Sequence, residues 1–205
     1  VCTYMDMPLQ HVSVPVLRGM LRPSNGARYL EIVEDFRQRV PGMTMRSTFI
    51  VGFPGEKDEH VDELERWIER AELDRVGFFV YSREDGTPGA DLPDQVPERE
   101  KRKRLLRLRD AQRRASERAR SRRLGQTVPV LVEERRTLRK TDPIAVGLRA
   151  RTVLVGRSAG EAPGVDGAIA FEGAAEIGSF VDVRLDGHTA FDFYGTLVRG
   201  ELAAG

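Results

Sequence analysis

The chain has 205 residues, 40% hydrophobic and 32% charged, the make-up of one or two globular domains with cores of their own. Its apolar runs, such as Phe49–Val51 and Phe78–Val80, are far too short to cross a bilayer, and its lone cysteine, Cys2, excludes an internal disulfide and any multi-cysteine metal site within the chain. The formal net charge of +1 conceals three blocks: 11 Lys/Arg against 17 Asp/Glu over residues 1–97, 13 against 4 over residues 98–123, and 9 against 11 over residues 124–205.

In chain order, residues 1–9 read as a strand ending near Pro8, and Asn25–Val40 as a helix with Tyr29, Ile32, Val33 and Phe36 on one face. Pro41-Gly42 stops that helix. Met43–Val51 is a strand rich in apolar and β-branched residues, and Gly52-Phe-Pro-Gly55 is a turn. Asp58–Glu72 is an amphipathic helix with Val61, Leu64, Ile68 and Ala71 three and four apart. Arg75–Tyr81 is a strand and Ser82–Pro97 a loop. This βαβαβ rhythm predicts parallel strands joined by crossover helices. Glu98–Arg123 is a long basic helix whose narrow apolar stripe is Leu105, Leu108, Gln112, Ala115 and Ala119, and Gly125 ends it. Five short β-like runs follow, at Thr127–Glu133, Ala145–Val155, Ala168–Phe171, Phe180–Leu185 and Asp192–Val198, which predicts a small barrel or sandwich. The predicted domains are residues 1–123 and 124–205.

Three polar or glycine-bearing turns fall at the C-terminal ends of predicted parallel strands: Met7-Pro-Leu-Gln-His11, Gly52-Phe-Pro-Gly-Glu56 and Tyr81-Ser82-Arg83. Ligands of parallel sheets gather at that edge. Each turn also has a plain structural reading. Gln10 caps a backbone group and His11 lies at the surface. Gly52 and Gly55 serve a tight strand-to-helix turn, and Glu56 answers the helix dipole. The run has no Lys-Ser/Thr of a phosphate loop and no G-x-G-x-x-G. Arg46 is a charge within a strand, sharing a face with Thr48 and Ile50, while Ser47 shares the other with Phe49 and Val51. The basic helix carries no aromatic residue to stack on bases. It reads either as a nucleic-acid or acidic-surface contact or as a linker whose charge complements the acidic residues before it, and the second reading is preferred.

As an ordered set, Met7-Pro-Leu-Gln-His11, Leu17-x-x-Met20-x-Arg22, Arg46-Ser-Thr-Phe-Ile-Val-Gly-Phe-Pro-Gly-Glu56, Phe79-Val-Tyr-Ser-Arg-Glu-Asp-Gly-Thr-Pro88 and Asp94-Gln-Val-Pro97 resemble the later part of methylthiotransferases of the radical S-adenosylmethionine superfamily. The resemblance implies an α/β fold: the C-terminal half of a partial six-stranded, TIM-like radical barrel, followed by a small five-stranded antiparallel barrel of the TRAM, OB-like kind that binds substrate. Val155-Gly-Arg-Ser-Ala-Gly-Glu-Ala-Pro-Gly-Val-Asp-Gly167 is similar to the branch that adds a methylthio group to the β-carbon of an aspartate in small-subunit ribosomal protein twelve. The family's other branch modifies an adenosine of transfer RNA. A 124–205 block of net charge −2 suits a basic protein better than RNA phosphates, so transfer RNA is the less favoured partner. The chain departs from the family at Lys57, usually a threonine cap, so that capping passes to Asp58, and at Ala159, usually an aromatic residue of the ribosomal-protein branch.

The resemblance further implies S-adenosylmethionine and two 4Fe-4S clusters in the full-length enzyme, with no cluster expected on this chain, which lacks the cysteines they need. No metal ligand is therefore assigned. Cofactor contact carries over to Gln10, Arg46, Ser47, Gly52, Glu56, Tyr81 and Ser82, and substrate contact to His11, Arg157 and Ser158. The catalytic residues stay unassigned. Partners are a small-subunit ribosomal protein and through it the ribosome, with no membrane, in the cytoplasm. Val1 is not Met and lies in a strand-like run, so the chain is expected to start within a longer protein, inactive alone, with an apolar edge on its first strand where a neighbour is missing. A non-catalytic RNA- or protein-binding module is the competing class.

Overall fold

The computed structural model describes residues 2–202, which divide into two compact units, residues 5–116 and residues 117–202 with residues 2–4. The first is an α/β layer. Its three-stranded sheet has the order β1 (Tyr4–Asp6), β2 (Thr44–Val51), β3 (Arg75–Val80). β2 and β3 are parallel in the register Ser47↔Val76, Phe49↔Phe78, Val51↔Val80, and a parallel bridge joins Gln10 to Phe49 beyond the end of β1. The helices are α1 (Val14–Gly19), α2 (Gly26–Arg39), α3 (Asp58–Ala71), the single turn α4 (Pro88–Asp91) and α5 (Glu98–Ser121), which runs on into the second unit.

Alternation along β2 decides which side is covered. Met45, Phe49 and Val51 are buried and cluster with Val33 of α2, Val61, Leu64, Trp67 and Ile68 of α3, and Leu108, Ala111 and Ala115 of α5. Trp67 packs edge-on to Phe49, ring centroids 5.7 Å apart, and its indole N–H donates to the Gly26 carbonyl at 2.8 Å. Arg46, Thr48 and Ile50, on the opposite face, are only half-buried. The expected apolar edge at the first strand is not what the structure has: β1 is three residues long and ends on exposed Asp6. The exposed apolar group is Phe79, on the other edge strand, β3, at 62%.

α5 lies along α3 by paired charges. Arg104 meets Asp58 at 2.9 Å, Arg107 meets Asp62 at 2.6 Å and also Glu65, and Arg114 meets Glu69 at 2.7 Å. The residue numbers rise together on the two helices, so they run in the same direction, as βα units require. This much of the basic helix complements the acidic residues before it.

The second unit is a closed five-stranded barrel in the order β4-β5-β6-β8-β7, built from β4 (Thr127–Thr137), β5 (Thr152–Arg157), β6 (Ile169–Glu172), β7 (Phe180–His188) and β8 (Phe193–Leu202). The pairings are antiparallel except β6 with β8, which is parallel. Val130, Val132, Leu154, Ile169, Phe171, Val181, Val183, Leu185 and Phe193 fill the interior. The run Ala145–Val155, read from sequence as one strand, is divided. Pro143–Gly147 is a 3₁₀ turn, and β5 begins at Thr152. Proline starts the turn, and Gly147 lies so close to the Tyr194 ring that a Cβ there would fall 2.0 Å from it. Val153 and Val155 are buried on the outer wall beneath Leu138 and Ile144, which makes β5 apolar on both faces.

Barrel closure also fixes Gly156. A Cβ there would fall 2.0 Å from the Leu131 carbonyl oxygen, a backbone atom that cannot turn aside. Gly156→Ala is therefore expected to cost at least about 3 kcal/mol, at the upper end of overpacking changes, measured by chemical denaturation with tyrosine and tryptophan fluorescence read separately. A variant as stable as the parent would disprove this reading of the close approach.

Candidate functional site

The three predicted turns meet at one edge of the sheet. Gln10 follows β1 with φ 69°, left-handed backbone that glycine, not glutamine, prefers. The conformation persists because its N–H donates to the Thr48 carbonyl at 2.9 Å and its carbonyl accepts from the Ile50 N–H at 2.8 Å. Held strain of this sort collects at functional turns. The Tyr81 N–H donates to the Val51 carbonyl at 2.9 Å, so Tyr81 stands beside the Gly52 turn.

At the centre is Glu56, 4% exposed. A buried carboxylate requires partners, and it has them. Oε2 accepts from the Gly52 N–H at 3.0 Å and Oε1 from Arg104 Nη1 at 3.0 Å, while the same Nη1 donates to the Glu56 carbonyl at 2.9 Å. Gly52 reaches this pose with φ 79°, and a Cβ there would lie 2.3 Å from Lys101 Cγ, so glycine is required twice over. Lys101 is itself buried, its Nζ donating to the Tyr81 carbonyl at 2.9 Å and to Glu98 at 2.6 Å and lying 5.3 Å from the Tyr81 ring centroid. Phe53 packs edge-on to that ring at 5.2 Å.

His11, expected as a surface or substrate contact, is fully buried. Its Nδ1 accepts from the Ser13 N–H at 3.0 Å, which puts the proton of the neutral ring on Nε2, and Nε2 faces Glu56 Oε2 across 3.6 Å, too far for a direct hydrogen bond. His11 Nε2 and Tyr81 Oη are buried side-chain atoms without a hydrogen-bond partner. The remaining predicted residues are more ordinary. The Arg46 guanidinium pairs with Asp6, Ser47 is buried and accepts from the Leu9 N–H at 3.3 Å, and exposed Ser82 donates to Glu84 at 2.9 Å.

Helix α3 begins differently from expectation. Lys57, not Asp58, is the N-cap, and its side chain makes no capping bond. The cap comes from His60, whose Nδ1 accepts from the Lys57 N–H at 3.1 Å, the role of the glutamate in a capping box. Burial holds the His60 imidazole below its ordinary pKa, partly opposed by Glu59. Asp58 instead binds Arg104. The sequence reading passed over His60, Lys101 and Arg104. The spacing of Arg104, Leu108 and Ala111 on one helical face is the signal that would have turned Arg104 inward.

On the barrel, Ser158 is buried and occupied within its own loop. Its N–H and Oγ donate to Glu161 Oε2 at 2.9 and 2.6 Å, and Glu161 Oε1 meets Arg123 at 3.3 Å. Ser158 thus holds the loop and offers no free atom. Arg157 binds Glu133 at 2.6 Å and lines an open groove of about 410 Å³ with Glu133, Glu134, Arg136 and Asp166. Among the described residues there is no group of His, Cys, Asp and Glu arranged to hold a metal ion, and no helix long and apolar enough to cross a membrane.

A family model, that of the TRAM domain, matches residues 124–198. Across 97% of its length the chain is similar to ribosomal protein uS12 methylthiotransferases named RimO: 41% identical to that of Roseiflexus sp. (strain RS-1), 43% to that of Roseiflexus castenholzii and 40% to that of Microcystis aeruginosa. The chain spans 40%, 39% and 43% of those three proteins. A solved structure, coproporphyrinogen III oxidase (HemN) of Escherichia coli, titled a radical SAM enzyme, aligns with 56% of this chain and 27% of its own at 16% identity and a TM-score of 0.48.

Two outcomes follow from the Glu56 cluster. Arg104→Met strands a buried carboxylate and is expected to cost about 3 kcal/mol, and adding Glu56→Gln recovers part of the loss; a strictly additive double variant would contradict the coupling. His60 is the second. Its folded-state pKa lies below 6.5, so the unfolded chain takes up the proton first. Stability is complete above about pH 6.5 and falls as pH drops towards 5, before most carboxylates titrate. His60→Gln keeps an acceptor and should flatten that segment of a stability–pH curve; an unchanged slope would refute the assignment.

Proposed function

We propose that this chain, similar over nearly all of its length to the uS12 methylthiotransferases, is part of a radical S-adenosylmethionine methylthiotransferase whose substrate is the small-subunit ribosomal protein uS12. The observation that carries the reading is the length of the similarity. It runs through both units, and the turn residues Gln10, Gly52, Glu56 and Tyr81 come together at the edge of a parallel sheet.

The edge is compatible with one wall of a cofactor pocket. Three buried polar atoms there, His11 Nε2, Tyr81 Oη and Arg104 Nε, lack partners, and Gln10 is held in a strained conformation. S-adenosylmethionine, if bound here and reduced by a cluster held elsewhere in the full-length enzyme, would supply radical chemistry at the substrate carbon. In this proposal Gln10 and Tyr81 contact it. Glu56, Arg104 and Lys101 fix the Gly52 turn, while Ser47 and Arg46 hold the strand that carries it. The described residues include no thiolate set for a 4Fe-4S cluster, so its ligands are not assigned to them.

Substrate contact is proposed for the groove beside Arg157, where Glu133 and Glu134 pair with Arg157 and Arg136 and Asp166 leaves one carboxylate in excess, so that a basic protein segment could exchange for the paired arginines. In the whole enzyme this makes uS12, on or off the ribosome, the partner, with a cytoplasmic location.

Binding of the 205-residue chain to purified uS12 tests the reading. Glu133→Lys with Glu134→Lys is expected to weaken it at least tenfold at 50 mM salt, with less effect at 200 mM. No uS12 binding would reject the proposal. Tight transfer-RNA binding lost on Arg136→Gln with Arg157→Gln would move the chain to the adenosine branch.

A further inference from the structure

Helix α5 divides its basic residues between two faces. Arg104, Arg107 and Arg114 are paired with α3, and Lys101 is buried against Tyr81 and Glu98. The opposite face carries Arg99, Arg102, Lys103, Leu106, Arg109 and Arg113, spaced at three and four residues and all exposed. Lys103 and Arg113 have acidic neighbours on their own helix, Glu100 at 3.7 Å and Asp110 at 3.0 Å. Arg99, Arg102 and Arg109 have no ion-pair partner among the described residues. They surround Leu106, which is 66% exposed, and an open groove runs along Glu98, Arg99, Arg102, Lys103 and Leu106.

Uncompensated like charges on one helix face repel one another and destabilise the helix by a few tenths of a kcal/mol per neighbouring pair. A linker needing only solubility would alternate signs there. We infer that the solvent face of α5 is a phosphate-binding ridge that seats the backbone of an RNA duplex. Arg99 to Arg109 spans ten helical rises, about 15 Å along the axis, long enough to meet several successive phosphates of one strand. Of Arg99, Arg102, Lys103 and Arg109, three are arginine, whose planar fork engages phosphate oxygens bidentately. The face has no aromatic residue, so it grips backbone and leaves bases unread. An acidic protein surface is the less suitable occupant. A protein interface is built on buried aromatic or aliphatic anchors, and this face offers one leucine. The inference is independent of the methylthiotransferase reading and concerns residues outside the barrel groove.

Fluorescence anisotropy of the 205-residue chain with a labelled 20-base-pair RNA duplex, across 50–300 mM KCl, tests it. Binding should weaken with salt at a logarithmic slope of about −4, each phosphate contact adding close to one. Arg99→Gln, Arg102→Gln and Arg109→Gln together should lower affinity at least tenfold at 50 mM and reduce the slope by about three, and each alone by about one. Thermal unfolding of these surface variants should be unchanged or slightly raised, as relief of like-charge repulsion requires. The comparison variant, Arg107→Gln with Arg114→Gln, removes charge from the face turned to α3 and should change the slope by less than one. Equal losses in the two sets would mean a response to net charge alone and would overturn the ridge. So would an unchanged affinity in the triple variant, or displacement of the duplex by an equimolar polyglutamate peptide.

Discussion

A buried carboxylate at the tip of β2 sets the terms for the first unit. Glu56 cannot be ionised and nearly inaccessible unless donors converge on it, and each donor constrains a different part of the chain. The Gly52 N–H reaches it only with positive φ, which makes the preceding turn glycine. The Arg104 guanidinium reaches it only if α5 is docked at the right height along α3, so one side chain reports on a helix 48 residues away in sequence. The same docking buries Lys101 against Tyr81, which carries the constraint to the end of β3. The barrel repeats the device on a smaller scale. Glu161 folds back onto the Ser158 N–H and takes Arg123, as Glu56 folds back onto Gly52 and takes Arg104. In each unit a glycine-bearing turn ends in a glutamate that closes its own loop, and an arginine from the 98–123 segment neutralises it.

That device explains why several motif residues behave as structure when seen alone. Ser158, Ser47 and Glu56 are each satisfied by the backbone of their own turn or its neighbour. The side-chain atoms left unsatisfied at that edge are His11 Nε2, Tyr81 Oη and Arg104 Nε, beside a Gln10 peptide that is strained but fully hydrogen-bonded. A motif thus contains residues of two kinds, those that build the edge and those that face it, and hydrogen-bond accounting separates them where residue type does not.

Periodicity made the main elements legible. Alternation over Met45–Val51 and the three–four spacing of Val61, Leu64 and Ile68 gave β2 and α3 to within a residue or two, and the stripe through Leu108, Gln112 and Ala115 gave the inner side of α5. Three things were not legible. Helix α1 is six residues with a proline in its first turn, too short to express a period. Residues 145–155 carry an apolar run whose first part is a turn, because the clash of Gly147 with Tyr194, 47 residues away, is absent from any local window. His11 and Arg104 are polar residues that look exposed until partners distant in sequence bury them. For the same reason the α3 cap points to Asp58 in the sequence, although His60, three residues beyond Lys57, provides it.

Charge teaches the same lesson in sharper form. A block sum of +9 over residues 98–123 treats all its arginines alike, whereas the helix sorts them. Those facing α3 are matched by carboxylates at short range, Arg104 nearly enclosed and Arg107 and Arg114 still open to solvent. Those on the solvent face lie in high dielectric, where an ion pair within the protein would be worth little and a polyanion, by releasing its counterions, is worth much more. The barrel, at net −2, has the opposite preference. A partner made only of phosphate would be drawn to α5 and indifferent or averse to the barrel, and a purely basic protein the reverse.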